Sequence, residues 1–404
     1  MTTERSAADP AARTAADPAE PETMTTVAGR RRWWPWVTLL VVVALAVAAT
    51  TVWLMTGPRS KSPAAAAPDD LKSAQLALIN APGVHYTGNL SGSDGKAPRL
   101  EVRVTNAGVA YGTIDYGSGK TLTYLAVGGK AFLGGGSDAW IAHGVTPEIA
   151  RSNADYPVLL PGGKVLSVDI AVQLKPEALA RRLGPIPGRS ELMTRGAATF
   201  IDGQTVDGLT SGSLTTYLVS GRARRITDPT FDVTPTPMTA DEVARLYREV
   251  RPAVTALDYA GDTGSTVTVA LSWISNPCAP ICTSIADVTS TPKPPVAVNV
   301  PGATPPVDDI FVAYDTVLTS GDAVTPHPEC SGVMQMPGRG TTRLTCGLFI
   351  SGGQPANVVV TLRPVLGPAR ADVLVGALDA AAKESEDRAK CTVTSLSETA
   401  TPHC

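Results

Sequence analysis

The stretch that comes nearest to a nucleotide site is Tyr116-Gly117-Ser118-Gly119-Lys120-Thr121. A Gly-Lys-Thr closes a P-loop, where backbone N–H groups cradle phosphates and the lysine reaches the terminal ones. That loop also needs a glycine five positions before its Gly-Lys-Thr, and here the position holds Ile114. The lysine and threonine lead into Leu-Thr-Tyr-Leu-Ala-Val, an alternating strand pattern, whereas phosphate binding uses the N-terminus of a helix. Gly117 and Gly119 therefore read as turn residues between antiparallel strands, and no ATPase site is expected.

Other chemistry is sparse. The four histidines are His85, His143, His327 and His403. None accompanies a Gly-x-Ser-x-Gly nucleophile elbow or a His-Glu-x-x-His metal motif. His327 with Cys330, and His403 with Cys404, could be drawn as zinc ligands, but Cys-x2-Cys spacing is absent. Asp308-Asp309 reads as a solvated loop pair. These residues predict no catalytic group, metal or cofactor. The six cysteines, Cys278, Cys282, Cys330, Cys346, Cys391 and Cys404, all lie in the last third of the chain. An even number confined to one region reads as disulfides of an exported domain. Six cysteines allow fifteen connectivities; nearest-neighbour pairing (Cys278–Cys282, Cys330–Cys346, Cys391–Cys404) is the expectation. Cys278 and Cys282 are spaced Cys-x3-Cys, unlike the Cys-x2-Cys of thiol oxidoreductases, so a structural role is expected there.

The elements that would carry these residues begin with a membrane span. No charged side chain occurs between Arg32 and Arg59, a stretch longer than the roughly 20 apolar residues that cross a bilayer. Trp33, Trp34, Trp36 and Trp53 flank it, at the level where amphipathic rings favour the interface. Arg30, Arg31 and Arg32 precede it and place the N-terminus in the cytoplasm. A cleaved signal peptide is the alternative, with Ala-Val-Ala at 46–48 as its cleavage site. The expected organisation is a disordered cytoplasmic tail (1–32), a transmembrane helix in the plasma membrane (33–56) and a spacer (57–68). Two extracytoplasmic regions follow, 69–253 and 264–404. A net charge of -3 offers no basic face for nucleic acid.

Asp69-Asp70 precede the helical pattern Leu71, Ala74, Leu78, Ala81, which Pro82-Gly83 ends. Alternating segments then predict strands at "VHYTGNL", "RLEVRVT", "VAYGTIDY", "LTYLAV" and "KAFLG", with Gly128-Gly129 as a hairpin turn. A short helix is predicted at 176–184, strands at "AATFIDGQTV" and "LTTYLVS", and a helix opened by the Thr239–Glu242 capping box and ended by Pro252. After a boundary between 252 and 263, strands return at "STVTVALSWI", "IFVAYDTVL", "TTRLTCGLFI" and "NVVVTLRPV". A helix over "ARADVLVGALDAAAKESEDRA" follows them, and the proline-rich 291–306 reads as a loop or edge. This second region is expected to be a disulfide-supported, β-sandwich-like domain with one helix.

The order of elements over 69–251 is similar to that of the LppX/LprG-type envelope lipoproteins of actinobacteria. So are the Gly-Gly-Lys-Ala-Phe hairpin, the Ser-Asp-Ala-Trp140 after it and "IDGQTVDGL". The resemblance implies an α+β, lipoprotein-carrier-like fold, an antiparallel half-barrel whose concave face is covered by helices. It also implies an apolar space, lined in part by the closing helix, for a lipid or lipoglycan ligand. This chain carries a predicted membrane span where that family has a lipidated cysteine, and it adds a cysteine-bearing region. Its expected role is a non-enzymatic envelope protein that binds an apolar ligand. The alternative is a module that recognises an envelope protein partner and takes no small ligand.

Overall fold

The computed structural model describes residues 68–92, 95, 97–184, 193–263, 265, 267–275, 281–292, 309–320, 323–326, 328–349 and 357–394. The predicted tail, membrane span and spacer up to residue 67 lie outside the described residues. Among the described residues no helix is long and apolar enough to cross a membrane. Residues 63–404 form one compact unit.

The fold is α+β with antiparallel sheets. Helix α1 (Pro68–Asn80) holds Asp69 and Asp70 in its first turn, where carboxylates suit the positive end of the helix dipole. Its buried Leu71, Ala74 and Leu78 form one stripe. From Gly83 the apolar period drops to two. A meander follows: β1 (Gly83–Leu90), β2 (Arg99–Thr105), β3 (Ala110–Asp115), β4 (Thr121–Val127) and β5 (Lys130–Gly134). Gly128 and Gly129 have φ of 57° and 72°, the left-handed pair that a tight hairpin needs.

Short elements come next: α2 (Ser137–His143), α3 (Pro147–Asn153), β6 (Val158–Leu159), α4 (Ile170–Gln173) and α5 (Pro176–Leu183). Then come β7 (Thr194–Arg195), β8 (Thr199–Ile201), β9 (Gln204–Val206), β10 (Gly208–Ser211), β11 (Leu214–Val219), β12 (Arg222–Asp228) and β13 (Phe231–Met238). Helix α6 (Ala240–Thr255) closes this part. The strands form one eleven-stranded sheet in the order β6-β5-β4-β3-β2-β1-β13-β12-β11-β10-β7, with β8–β9 a separate hairpin. The long β1–β13 pairing joins the two meanders over eight residue pairs.

The two sheet faces are covered by different helices. Val84, Tyr86, Leu90, Leu100, Val102 and Tyr124 pack with α1 and α5 on one face, here called inner. Val109, Leu125, Val127 and Phe132 pack with α6 on the other. The expectation that the closing helix lines the same space as α1 is thus corrected. Met238, the last residue of β13, faces outward by strand alternation, so the chain leaves the sheet on the outer side. Thr239 and Glu242 cap the helix there with a capping box. Pro252 lies inside α6 instead of ending it. The predicted strand "AATFIDGQTV" is the β8–β9 hairpin, whose turn Asp202-Gly203 has φ of 50° and 81°.

The second sequence region contains β14 (Val267–Ser275), β15 (Ile281–Pro292), β16 (Ile310–Ser320), β17 (Ala323–Pro326), β18 (Gly332–Met336), β19 (Gly340–Phe349) and β20 (Asn357–Val365). Helix α7 (Pro368–Arg388) follows. Strands β14-β15-β19 form one sheet, and β16 pairs with β17, β18 and β20 in another. Val288 and Leu344 of the first sheet meet Val312 and Met336 of the second. Cys330, just before β18, is bridged to Cys346 of β19 with a Cα–Cα distance of 5.6 Å, linking the two sheets. Trp273 is 38% exposed, so the core is built without it. Helix α7 then returns to the eleven-stranded sheet, where Leu374 and Leu378 join the outer cluster with α6.

Candidate functional site

The quoted Tyr116–Thr121 stretch forms the turn between β3 and β4. Gly117, Ser118 and Gly119 have φ of 84°, 55° and 76°, and the Asp115 carboxylate accepts the Gly117 N–H at 2.8 Å. His143 Nδ1 and the Tyr116 hydroxyl are hydrogen-bonded at 2.5 Å, and burial pushes the His143 pKa down. His85 lies across the sheet, 3.5 Å from Glu101. His327 and His403 are outside the described residues, as is Asp308, while Asp309 accepts from Gln335 at 2.9 Å. Among the described residues no three metal-ligating side chains converge.

Of the six cysteines, Cys330 and Cys346 are bonded to each other. Cys391 is also in a disulfide, and its Sγ lies 3.4 Å from the Asp387 carbonyl one turn back. Cys282 lies on β15 opposite Leu348 of β19. Cys278 and Cys404 are outside the described residues. The bridge between Cys330 and Cys346 ties the two sheets together.

The feature that can receive a ligand arises from strand register. Strands β12 and β13 pair only at Ile226–Val233, Thr227–Asp232 and Asp228–Phe231. Beyond Val233, β13 runs on with β1 alone. Pro235 and Pro237 occupy alternate positions there, so their nitrogens face one flank. The intact β1 ladder puts that flank on the β12 side, where a proline has no N–H to offer. The two strands therefore splay. Helix α1 lies beneath the gap and presents Ala74, Ala77 and Leu78, with Ala81 just past its end, and the small alanine side chains leave space.

The result is a groove of about 560 Å³ between α1 and the diverging strands, within the roughly 300–1,000 Å³ of small-molecule sites. Ala223, Pro235 and Pro237 form its strand wall, and Arg222 and Arg224 stand at its rim. The groove opens beside the inner core. Tyr86 sits directly opposite Pro235 on the same face, and Thr216 lies on the last paired rung, opposite Ile226. Among the described residues, the Tyr86 hydroxyl, Trp140 Nε1 and Thr216 Oγ1 are buried with no hydrogen-bond partner. Burial alone drives the Tyr86 pKa upward, which keeps the phenol protonated and a donor. Uncompensated polar atoms in an apolar interior carry a desolvation cost, and none of these three lines the groove.

A second groove, of about 540 Å³, follows the α6–α7 seam. Its lining mixes Asp241, Arg248, Arg251, Asp379 and Lys383, and Arg251 is already paired with Asp379. Charges of both signs suit it less to an apolar guest.

Sequence reasoning missed the splayed strands. "RARRITD" lacks apolar alternation, and "FDVTPTPM" carries two prolines that argue against a central strand. The repeated Thr-Pro was the available signal, because prolines two apart on one flank mark an edge. No protein-family model and no curated protein matches this sequence.

Proposed function

We propose that this chain is a non-enzymatic extracytoplasmic envelope protein that binds an apolar or lipid-like ligand between α1 and the split strands. The observation that carries this reading is the groove itself, a proline-held opening in the sheet backed by an alanine stripe. In this reading the eleven-stranded sheet is the carrier-like half-barrel that the LppX/LprG resemblance implies. Glycines at bends support a curved sheet. A Cβ on Gly112 would collide with the Glu101 carbonyl oxygen, so strands approach there as only glycine allows. The two disulfide-linked sheets are the sandwich-like second part. Residues 33–56 anchor the protein in the plasma membrane with its N-terminus in the cytoplasm and the residues after the spacer outside.

A second reading, a partner-recognition module without a small ligand, is favoured by the packing of the inner face. Tyr86, Leu90, Leu100, Ile114, Leu122 and Tyr124 fill it with no exposure. A ligand therefore fits at the groove, not in the depth of the sheet.

The discriminating experiment uses the full chain in the cell fraction that holds it, with an uncharged dodecyl glycerol probe bearing a photoreactive diazirine. Crosslinks should map to peptides containing 74–82 and 235–238, and Ala77→Trp, which fills the groove, should remove them. Crosslinks spread evenly over the surface, or unaffected by the tryptophan, would overturn the ligand reading in favour of the module.

A further inference from the structure

Resting on the apolar-ligand reading, we propose that the groove takes a single-chain anionic amphiphile, its chain against Ala74, Ala77 and Pro235 and its phosphate or carboxylate at Arg222. The apolar walls alone would accept any hydrocarbon; the rim supplies the selection. Three arginines lie close together on β12, and their partners differ. Arg225 turns to the outer face, where it is held bidentately by Asp232, with Nε 2.8 Å from Oδ1, and lies over the Tyr217 ring. Arg224 is paired with Asp202 at 3.2 Å. Arg222 is exposed and has no ion-pair partner among the described residues.

Arg222 is therefore the cation at this rim that is free to take an anion. A Cβ on the neighbouring Gly221 would lie 3.4 Å from the Asp70 carboxylate, which does not itself line the groove. No acidic residue lines the groove. An amphiphile is needed to use both features, because a free anion gains nothing from the alanine stripe and a neutral oil gains nothing from Arg222. A guanidinium also forks onto phosphate or carboxylate oxygens with two parallel N–H donors. One chain suits the groove, whose floor is one face of a single helix, Ala74, Ala77 and Leu78, with Asn80 and Ala81 at its end.

The test compares two photoreactive dodecyl probes on the full chain, one with a phosphate head and one with an uncharged glycerol head. The phosphate probe should label the groove peptides about tenfold more strongly, the worth of one charge-assisted hydrogen bond. Arg222→Gln should bring it down to the glycerol level, while Arg248→Gln on α6 should leave it unchanged. Inorganic phosphate should not compete at concentrations where unlabelled dodecyl phosphate does. Equal labelling by both probes, or a phosphate preference that survives Arg222→Gln, would overturn the headgroup assignment and leave the apolar-ligand reading standing. Absence of groove labelling by either probe would overturn both. Arg222 is on the surface, so its substitution leaves the fold intact.

Discussion

Tyr86 and Tyr247 show how the same side chain has opposite consequences in two environments. Both are buried, and both have pKa values raised first by burial. The Tyr86 hydroxyl has no partner among the described residues, so its desolvation is uncompensated. Removing such a group by Tyr86→Phe deletes a cost and leaves packing unchanged. The unliganded protein is expected to keep its stability or gain about 1 kcal/mol, measured by urea denaturation. A loss of similar size would show that the phenol is hydrogen-bonded in the folded protein. Asn106 is the contrasting design. It is buried and fully used, donating to the Ile79 and Ala81 carbonyls and accepting the Glu177 N–H at 3.2 Å. One amide thereby fixes the end of α1 to the start of α5.

At the scale of elements, Tyr247 joins three of them. From α6 its hydroxyl lies 3.0 Å from the Ala381 carbonyl and 2.7 Å from Ser385 Oγ, both on α7, and 3.3 Å from Thr105 Oγ1 at the end of β2. Tyr247→Phe removes the hydrogen bonds that tie α6 to two other elements, and is expected to cost about 1–3 kcal/mol. The loss should appear as faster amide exchange in both α6 and α7; a confined effect on α6 would show that α7 does not depend on this node. Helices α1, α5 and α6 were legible in the sequence because each has a stripe at helical spacing and a stop or cap signal. The first five strands were legible from alternation and Gly turns. Helices α2 to α4 were not, because seven residues or fewer give too little periodicity to separate helix from loop. Which face α6 would cover was also hidden. It depends on whether β13 ends on an inward or outward residue, and β13 itself was masked by its prolines. The candidate site inherits that blindness, since its walls are the two unpredicted strands, while its floor is α1, which was read correctly.

For the whole molecule, the decisive segment is the one between the two sequence regions. Composition changes near residues 252–263, yet the backbone there is not free. Gly261 donates to Pro157 at 2.8 Å and accepts from Leu159 at 2.9 Å, which adds it to the β6 edge of the large sheet. On its other flank Asp262 donates to Pro364 at 2.9 Å and Leu366 donates to Ala260 at 3.0 Å. The segment is thus a bridge in a continuous ladder from β6 to β20. Side chains reinforce it. Arg363 of β20 lies over the Tyr156 ring, and Arg370 of α7 pairs with Asp262 at 2.9 Å. Farther along α7, Arg388 reaches Glu177 of α5 at 2.8 Å. Just beyond it, the Val393 backbone exchanges two hydrogen bonds with the Asn80 side chain at the end of α1. A chain closed at both ends of α7 in this way has no weak plane at which one part can open alone, so cooperative unfolding is expected. Amide exchange read by mass spectrometry should find residues 258–263 as protected as β1. Thermal melting of the ordered part should follow one transition by both near- and far-ultraviolet dichroism. Early exchange at 258–263, with a first transition that leaves the large sheet intact, would show instead that the two regions are separate folding units that merely touch.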